Sequence, residues 1–412
     1  MDFALPEGLA DTLERLDAFI DAEIVPLERA HPQYFDHRRE WARTDFDNGG
    51  TPAAAWEELL GQMRVLADQA GFYRYALPVD LGGTGASNLE LAVVREHLAR
   101  RGLGLHNDLQ NEASVVANLP FVHIVRDFGT PEQKADLLEG MITGERIVAF
   151  ALTEPDHGSD ATWMETRAVR DGDDWVITGN KRWNTGVHVA THDVVFARTD
   201  GADGSARGIT AFLVPMSTEG LRVGEYEWTF NMPTDHARVH LEGARVPHSA
   251  ILGTEGLGLA VAQHFVHENR IRQAASSLGA AEYCIDRAVA RARERVTFGA
   301  PLSTRQAIQW PLAELHTDAE MVRGLVHRAA WMLDRAADPT EVGALVSMAN
   351  FRANRLVCQA ADQAMQVFGG EGYSRHQPFE HIYRHHRRYR ITEGAEEIQI
   401  RKVAGSLFGF GR

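Results

Sequence analysis

Apolar positions in the first third of the chain recur every three to four residues. Leu13, Leu16, Phe19 and Ile20 form one such stripe, which predicts an amphipathic helix. Ser87 with Glu90 three residues on predicts a capping box that opens the helix LELAVVREHLARRG. Thr130, Pro131 and Gln133 predict the same device ahead of PEQKADLLEGMI, with proline in the first helical position. Gly82, Gly83 and Gly85 mark a loop before Ser87. Near Arg146 the pattern changes. IVAFAL, TRAVRDGDDWVITG, DVVFAR, GITAFLVPM and ARVHLEGARV are short β-branched runs, and Arg170-Asp171-Gly172-Asp173 predicts a hairpin turn. From about Gly256 onward, three long segments return to helical spacing, with Pro311 an early-turn or kinking proline in the second.

The order helices, strands, helices predicts an α+β multidomain chain. It has an N-terminal helical domain (1–146), a middle antiparallel β-domain (147–250) and a C-terminal helical bundle (251–412). Strands and helices do not alternate, and no G-x-G-x-x-G follows a strand. Both facts argue against a doubly wound nicotinamide-binding sheet.

At 412 residues, two or three lobes are expected. A net charge of −15 argues against nucleic acid as a general partner. No apolar run is long enough to predict a membrane span, and the N-terminus lacks the basic start of a secretory signal. Cys284 and Cys358 sit in helical apolar patterns and offer neither a disulfide framework nor metal spacing, so a reduced cytoplasm is the expected compartment and no metal is expected. Only Lys134, Lys181 and Lys402 are lysines. Arginine clusters at 384–390, where guanidinium forks suit phosphate or carboxylate, although a lysine-poor composition explains most of the ratio.

Four stretches carry candidate chemistry. ALTEPDHGSDA (151–161) ends a strand in a turn that offers N–H groups and hydroxyls to a ring or a phosphate; an ordinary strand-end loop reads the same way. In ITGNKRWNTGVHVA, Trp183 and Thr185 lie two apart and share a strand face, to stack on a planar cofactor or to fill a core. RERVTFGAPLSTRQAIQW leaves Arg295, Arg305 and Gln306 at a helix break, a pyrophosphate site or a solvated turn. Finally, QVFGGEGYSRHQPFEHIYRHHRRYRITEGAEEIQIRKV sets Glu393 and Gly394 near many cations, a positioned base or a surface turn.

Taken in order, TEPDHGSD, NKRWNTG, ERVTFGAPLSTRQAI, QVFGGEGY and TEGAEEIQ resemble the acyl-CoA dehydrogenase family over nearly the whole chain. The resemblance implies FAD and oxidation of an acyl-CoA thioester to the trans-2-enoyl-CoA. Glu393 would be the α-proton base, with a pKa raised by burial, and the β-hydride would go to flavin N5. The flavin ribityl hydroxyl and the base's own N–H would steady the thioester carbonyl. Leu152, Thr153, Gly158 and Ser159 would contact flavin, with Ser159 also meeting CoA, and Trp183 and Thr185 would lie against the isoalloxazine. Arg295, Phe298, Gln306, Gln366, Gly369 and Gly370 would reach the FAD of a neighbouring subunit, which implies a homo-oligomer, dimer or tetramer. Arg270 and Gly394 would line the thioester end. An electron-transfer flavoprotein would accept the electrons; an acyl-CoA oxidase or flavin monooxygenase on the same scaffold is the alternative. Glu268, one residue from a position some members use for the base, is a minor rival to Glu393. Ala395, Glu397, Thr392 and the Arg384-His385 step depart from the family pattern.

Overall fold

The computed structural model describes residues 4–36, 41–107, 113–335 and 339–410. Helices α1 (Leu9–Phe19), α2 (Val25–Ala30), α3 (Ala54–Gln69), α4 (Asn88–Arg100), α5 (Pro120–Phe128) and α6 (Pro131–Thr143) come first, interrupted by the two-residue strands β1 (Thr44–Asp45) and β2 (Thr51–Pro52). Seven strands follow: β3 (Val148–Ala151), β4 (Arg167–Asp171), β5 (Asp174–Thr185), β6 (His192–Arg198), β7 (Ile209–Pro215), β8 (Leu221–Tyr226) and β9 (His236–Pro247). Then come α7 (Gly258–Glu294), the short hairpin of β10 (Val296–Thr297) and β11 (Ala300–Pro301), and helices α8 (Gln306–Asp334), α9 (Pro339–Phe368), α10 (Gly370–Tyr373), α11 (Phe379–Arg388) and α12 (Glu396–Phe408).

Local signals in the sequence have direct counterparts. Ser87 and Glu90 form the reciprocal capping box of α4, and Thr130 and Gln133 that of α6, with Pro131 in the first turn. Gly172 and Asp173 turn β4 into β5, where Asp171 pairs with Asp174 and Gly172 takes φ 66°. Pro311 lies in the second turn of α8, and the helix continues through it to Asp334. Leu16 and Ile20 of the first stripe are fully buried.

The chain forms two compact units. One comprises Met1–Arg43, Ala54–Asn118 and Asn269–Arg412. Its core joins α7, α8 and α9 through Ala274, Ala281, Ala319, Val326, Ala349 and Val357, mostly small side chains that let helix axes approach. Gly279 shows how close: a Cβ there would lie 2.1 Å from the Glu96 carbonyl oxygen on α4.

The other unit comprises Thr44–Ala53 and Leu119–Glu268. Its seven-stranded sheet runs β3-β6-β4-β5-β9-β8, with β7 also paired to β6. Most pairings are antiparallel as expected, but β3 runs parallel to β6, and β4 also meets β6 in parallel at Arg167 and Arg198. Trp175, Ile177, Val195, Phe212 and Leu241 form the core on one side of this sheet. The Gln133 side chain ties α6 to the carbonyls of Ser249 and Ile251.

Candidate active site

Glu393 lies in the loop between α11 and α12, half-buried, with φ 55°. A left-handed backbone costs a non-glycine residue roughly 1–2 kcal/mol, so its neighbours must hold it there. Arg270, buried on α7, donates from Nε (2.9 Å) and a terminal nitrogen (2.6 Å) to the Glu393 carbonyl oxygen. Burial pulls the Arg270 guanidinium below its ordinary pKa, and the Glu393 charge works against that pull. Gly394 follows at φ 88°; a Cβ there would come within 2.7 Å of Arg270, so both the conformation and the approach of the guanidinium require glycine. Gln399 on α12 donates to the Gly394 carbonyl (2.9 Å) and to Asn350 Oδ1 (2.9 Å). Asn350 in turn donates to the Arg270 carbonyl (2.8 Å), so one buried amide network reaches both residues of the turn.

The ends of the loop are closed as well. The N–H groups of Ile391 and Thr392 donate to the Arg388 carbonyl, and that of Glu396 donates to the Arg390 carbonyl. The Glu396 carboxylate accepts two bonds from Arg390 (2.9 and 2.8 Å) and two from Arg355 (3.1 and 3.2 Å). The Arg390 bonds, with help from Arg355, hold its pKa down at about 2. Part of the arginine cluster is thereby spent on the protein's own carboxylates: Arg384 grips Glu380 just as Arg390 grips Glu396. Ala395 is the N-terminal boundary residue of α12, and Glu397 is exposed. The Glu268 side chain lies outside the described residues.

In the sheet unit, Leu152 and Thr153 leave β3 half-buried, whereas Gly158 and Ser159 are exposed. This loop is tied down by β5. The Thr153 carbonyl accepts from the Arg182 N–H (2.9 Å), and Lys181 Nζ donates to the Leu152 carbonyl (3.3 Å) and to Glu154 (2.8 Å). Glu154 also accepts from the N–H groups of Glu165 and Thr166. Both side chains are buried, Lys181 completely. Burial pulls the Lys181 ammonium below its ordinary pKa. Burial also pushes Glu154 upward, but Lys181 and the hydrogen bonds outweigh it and the net shift is downward. Close by in sequence, Asn184 donates to Asp193 (2.8 Å), whose pKa burial pushes up to about 7.

The pairing of β5 with β9 slips between Lys181 and Asn184. At this bulge Trp183 takes φ 66°, and its indole stands 43% exposed, with the Arg182 guanidinium 4.8 Å from the ring centre. Thr185 is exposed too, its hydroxyl 2.9 Å from His236 Nδ1. Trp183 and Thr185 therefore share the open face of the strand, while Lys181 and Asn184 point into the interior.

The remaining candidates occupy exposed turns of the helical unit. Arg295 precedes the β10–β11 hairpin and Gln306 follows it. Phe298 sits at the hairpin tip with φ 49°, 98% exposed. Gln366, Gly369 (φ 65°) and Gly370 end α9 and open α10, all three exposed. The structure thus brings Arg270, Glu393 and Gly394 into direct contact, and ties the Leu152–Thr153 segment to the strand that carries Trp183 and Thr185. Sequence reasoning missed Lys181, Glu154, Arg355, Arg390, Glu396 and Gln399, which hold these segments. One available signal was a lysine, in a chain with only three, set inside a strand pattern.

Three family models match in order: the acyl-CoA dehydrogenase N-terminal domain over residues 13–145, the middle domain over 149–244 and the C-terminal domain over 256–408. The chain belongs to the acyl-CoA dehydrogenase family, FAD-dependent oxidoreductases that act on CH–CH groups. It is 37% identical to the mitochondrial short-chain specific acyl-CoA dehydrogenase of Bos taurus over 340 residues, 82% of this chain and 80% of that one. It is 32% identical to the CarC subunit of the caffeyl-CoA reductase-Etf complex of Acetobacterium woodii, over 85% of this chain and 89% of that one. The solved structure of butyryl-CoA dehydrogenase from Megasphaera elsdenii superposes with a TM-score of 0.82 at 28% identity, covering 99% of this chain and 100% of that one.

Proposed function

We propose that this protein removes two hydrogens from an acyl-CoA thioester to give the trans-2-enoyl-CoA, with Glu393 as the base that takes the α-proton. The observation that carries this reading is the Glu393–Gly394 turn. A carboxylate is displayed on a left-handed backbone whose carbonyl is engaged by a buried arginine and whose successor has to be glycine. Strain of this kind, over-determined by its surroundings, suits a functional position.

The residues present also fit FAD. The exposed indole of Trp183 and the hydroxyl of Thr185 share one face of a bulged strand, as a planar ring requires. Leu152, Thr153, Gly158 and Ser159 supply the adjoining loop, Ser159 serving CoA as well. Arg295, Phe298, Gln306, Gln366, Gly369 and Gly370 are open for the FAD of a neighbouring subunit in a dimer or tetramer; an almost fully exposed phenylalanine at a hairpin tip gains from such cover. When bound, FAD supplies the two-electron oxidant that accepts the β-hydride. The chain's own part is to place the Glu393 carboxylate at the α-carbon, take up that proton, and steady the thioester carbonyl with N–H groups as negative charge grows. One C–H bond gives up a proton, the next gives up a hydride, and the carbon–carbon double bond forms between them. An electron-transfer flavoprotein is the proposed acceptor, and a relative found in an Etf complex supports it. We propose three domains, 1–146, 147–250 and 251–412, in a cytoplasmic protein; three family models that match in the same order support the division.

Anaerobic addition of a series of acyl-CoAs to the FAD-loaded protein tests the reading. At least one thioester is expected to bleach the visible flavin absorbance; if none does, the proposal fails. Reoxidation in air then separates a dehydrogenase, which is slow with oxygen, from an oxidase.

A further inference from the structure

Glu396 is three residues beyond Glu393, and nothing in its position requires it to touch substrate. It is nevertheless among the most heavily hydrogen-bonded carboxylates in the helical unit. Its side chain is buried and takes four hydrogen bonds from the forks of Arg390 and Arg355, while its N–H donates to the Arg390 carbonyl. Arg390 and Glu396 are the residues that bracket the segment Ile391-Thr392-Glu393-Gly394-Ala395. Their mutual fork therefore ties off a five-residue loop whose third member is the proposed base. Arg355 belongs to α9, so it anchors that closure to the helical core. Inside the loop, the Glu393 and Gly394 carbonyls are taken by Arg270 and Gln399. Every one of these contacts lands on backbone or on Glu396.

From this geometry we infer that Glu396 is a positioning residue: clamped between Arg390 and Arg355, it fixes the backbone from which the Glu393 carboxylate projects. The inference rests on the reading of Glu393 as the base. A bidentate Arg–carboxylate pair fixes orientation as well as distance, because guanidinium and carboxylate are both planar. Two such forks on one carboxylate leave it little freedom to rotate. Without them, the loop would keep the Arg270 and Gln399 contacts and the backbone bonds of Ile391, Thr392 and Glu396 but lose its side-chain closure, and the strained φ of Glu393 could relax toward ordinary values. Misplacing a base by about 1 Å costs on the order of 10²-fold in rate.

The test uses the FAD-loaded full chain and the thioester that bleaches the flavin fastest in the series above. Glu396→Ala is expected to keep FAD content and thioester affinity within about twofold, and to slow the limiting rate of bleaching by roughly 10- to 100-fold. Glu396→Gln, which keeps the shape and one acceptor oxygen, is expected to fall between Glu396→Ala and the parent. The decisive measurement is non-additivity. A residue that acts only through Glu393 has nothing left to position once that carboxylate is gone, so Glu396→Ala in a Glu393→Gln background is expected to slow the residual rate no further. The inference is overturned if Glu396→Ala leaves the limiting rate unchanged, if it slows the Glu393→Gln background by the same factor as the parent, or if both Glu396 variants lose FAD, which would mark a structural role alone. Arg355→Met breaks the same clamp from the other side and is expected to act in the same direction as Glu396→Gln. If Glu393→Gln itself bleaches at the parent rate, the reading of Glu393 fails instead, and that result is told apart by the single variant.

Discussion

Trp183 and Glu393 are both non-glycine residues with left-handed backbones, one in each unit, and they are held by different means. Trp183 sits between Lys181 and Asn184, two side chains wholly removed from solvent, and the charge that anchors its strand is paired with a buried carboxylate. Glu393 is gripped through its carbonyl by an arginine, and its loop is closed by a second pair whose Arg390 is 28% exposed. Where water is excluded, loss of one partner strands an uncompensated charge. Where water can enter, it can take over from the lost partner. The sheet unit should therefore fail by unfolding, and the Glu393 loop by losing its proposed chemistry while the fold survives.

The sharpest way to break that contrast is at Glu393, the proposed base. Glu393→Gln should lower turnover by roughly 10²- to 10⁴-fold with FAD content and melting temperature close to the parent, as flavin absorbance and thermal melting would report. A large fall in melting temperature would erase the distinction. Lys181→Met should do the reverse. With Glu154 left buried and unpaired, it should cost about 3–5 kcal/mol, read as a lower urea midpoint; an unchanged midpoint would mean that water reaches the pair.

Asp193 refines the picture through pH. Its folded pKa of about 7 lies above the ordinary carboxylate value, so the folded state keeps the proton in a window where the unfolded chain has released it. Its share of stability is full below the ordinary pKa, declines by about 1.4 kcal/mol per pH unit as pH rises toward 7, and is flat above that. Asp193→Asn should abolish this slope, so the urea midpoint of the variant should gain on the parent between pH 5 and pH 8. A constant gap would show that Asp193 is ionised throughout.

Two smaller effects frame the rest. Arg295→Ala should weaken FAD retention by about 1.5–3 kcal/mol, the scale of a charged hydrogen bond; full flavin occupancy after gel filtration would remove Arg295 from the cofactor site. Ser87→Ala, which breaks the α4 capping box, should cost about 1 kcal/mol in the urea midpoint without changing the rate of flavin bleaching.

Features fixed by neighbours in sequence were the legible ones. Two capping boxes, the Gly172-Asp173 turn and the first apolar stripe all depend on residues within a few positions of each other. The parallel pairing of β3 with β6 was not legible, because it joins Ala151 to Val195 across an intervening hairpin and no local pattern encodes it. At the site, Glu393 and Gly394 stood out as a dipeptide, and Trp183 and Thr185 as an alternating pair. What holds them did not: Arg270 meets Glu393 across 123 positions, and Glu396 gains its role from Arg355, 41 positions away on another helix, together with Arg390.

The sealed ammonium of Lys181 has a practical corollary. It is one of only three lysine amines in the chain, and it has no solvent exposure. An acylating reagent can reach it only when the strands around it part. Mass spectrometry of that single peptide, followed over time in native buffer, would count how often the sheet opens, with no dye or engineered label.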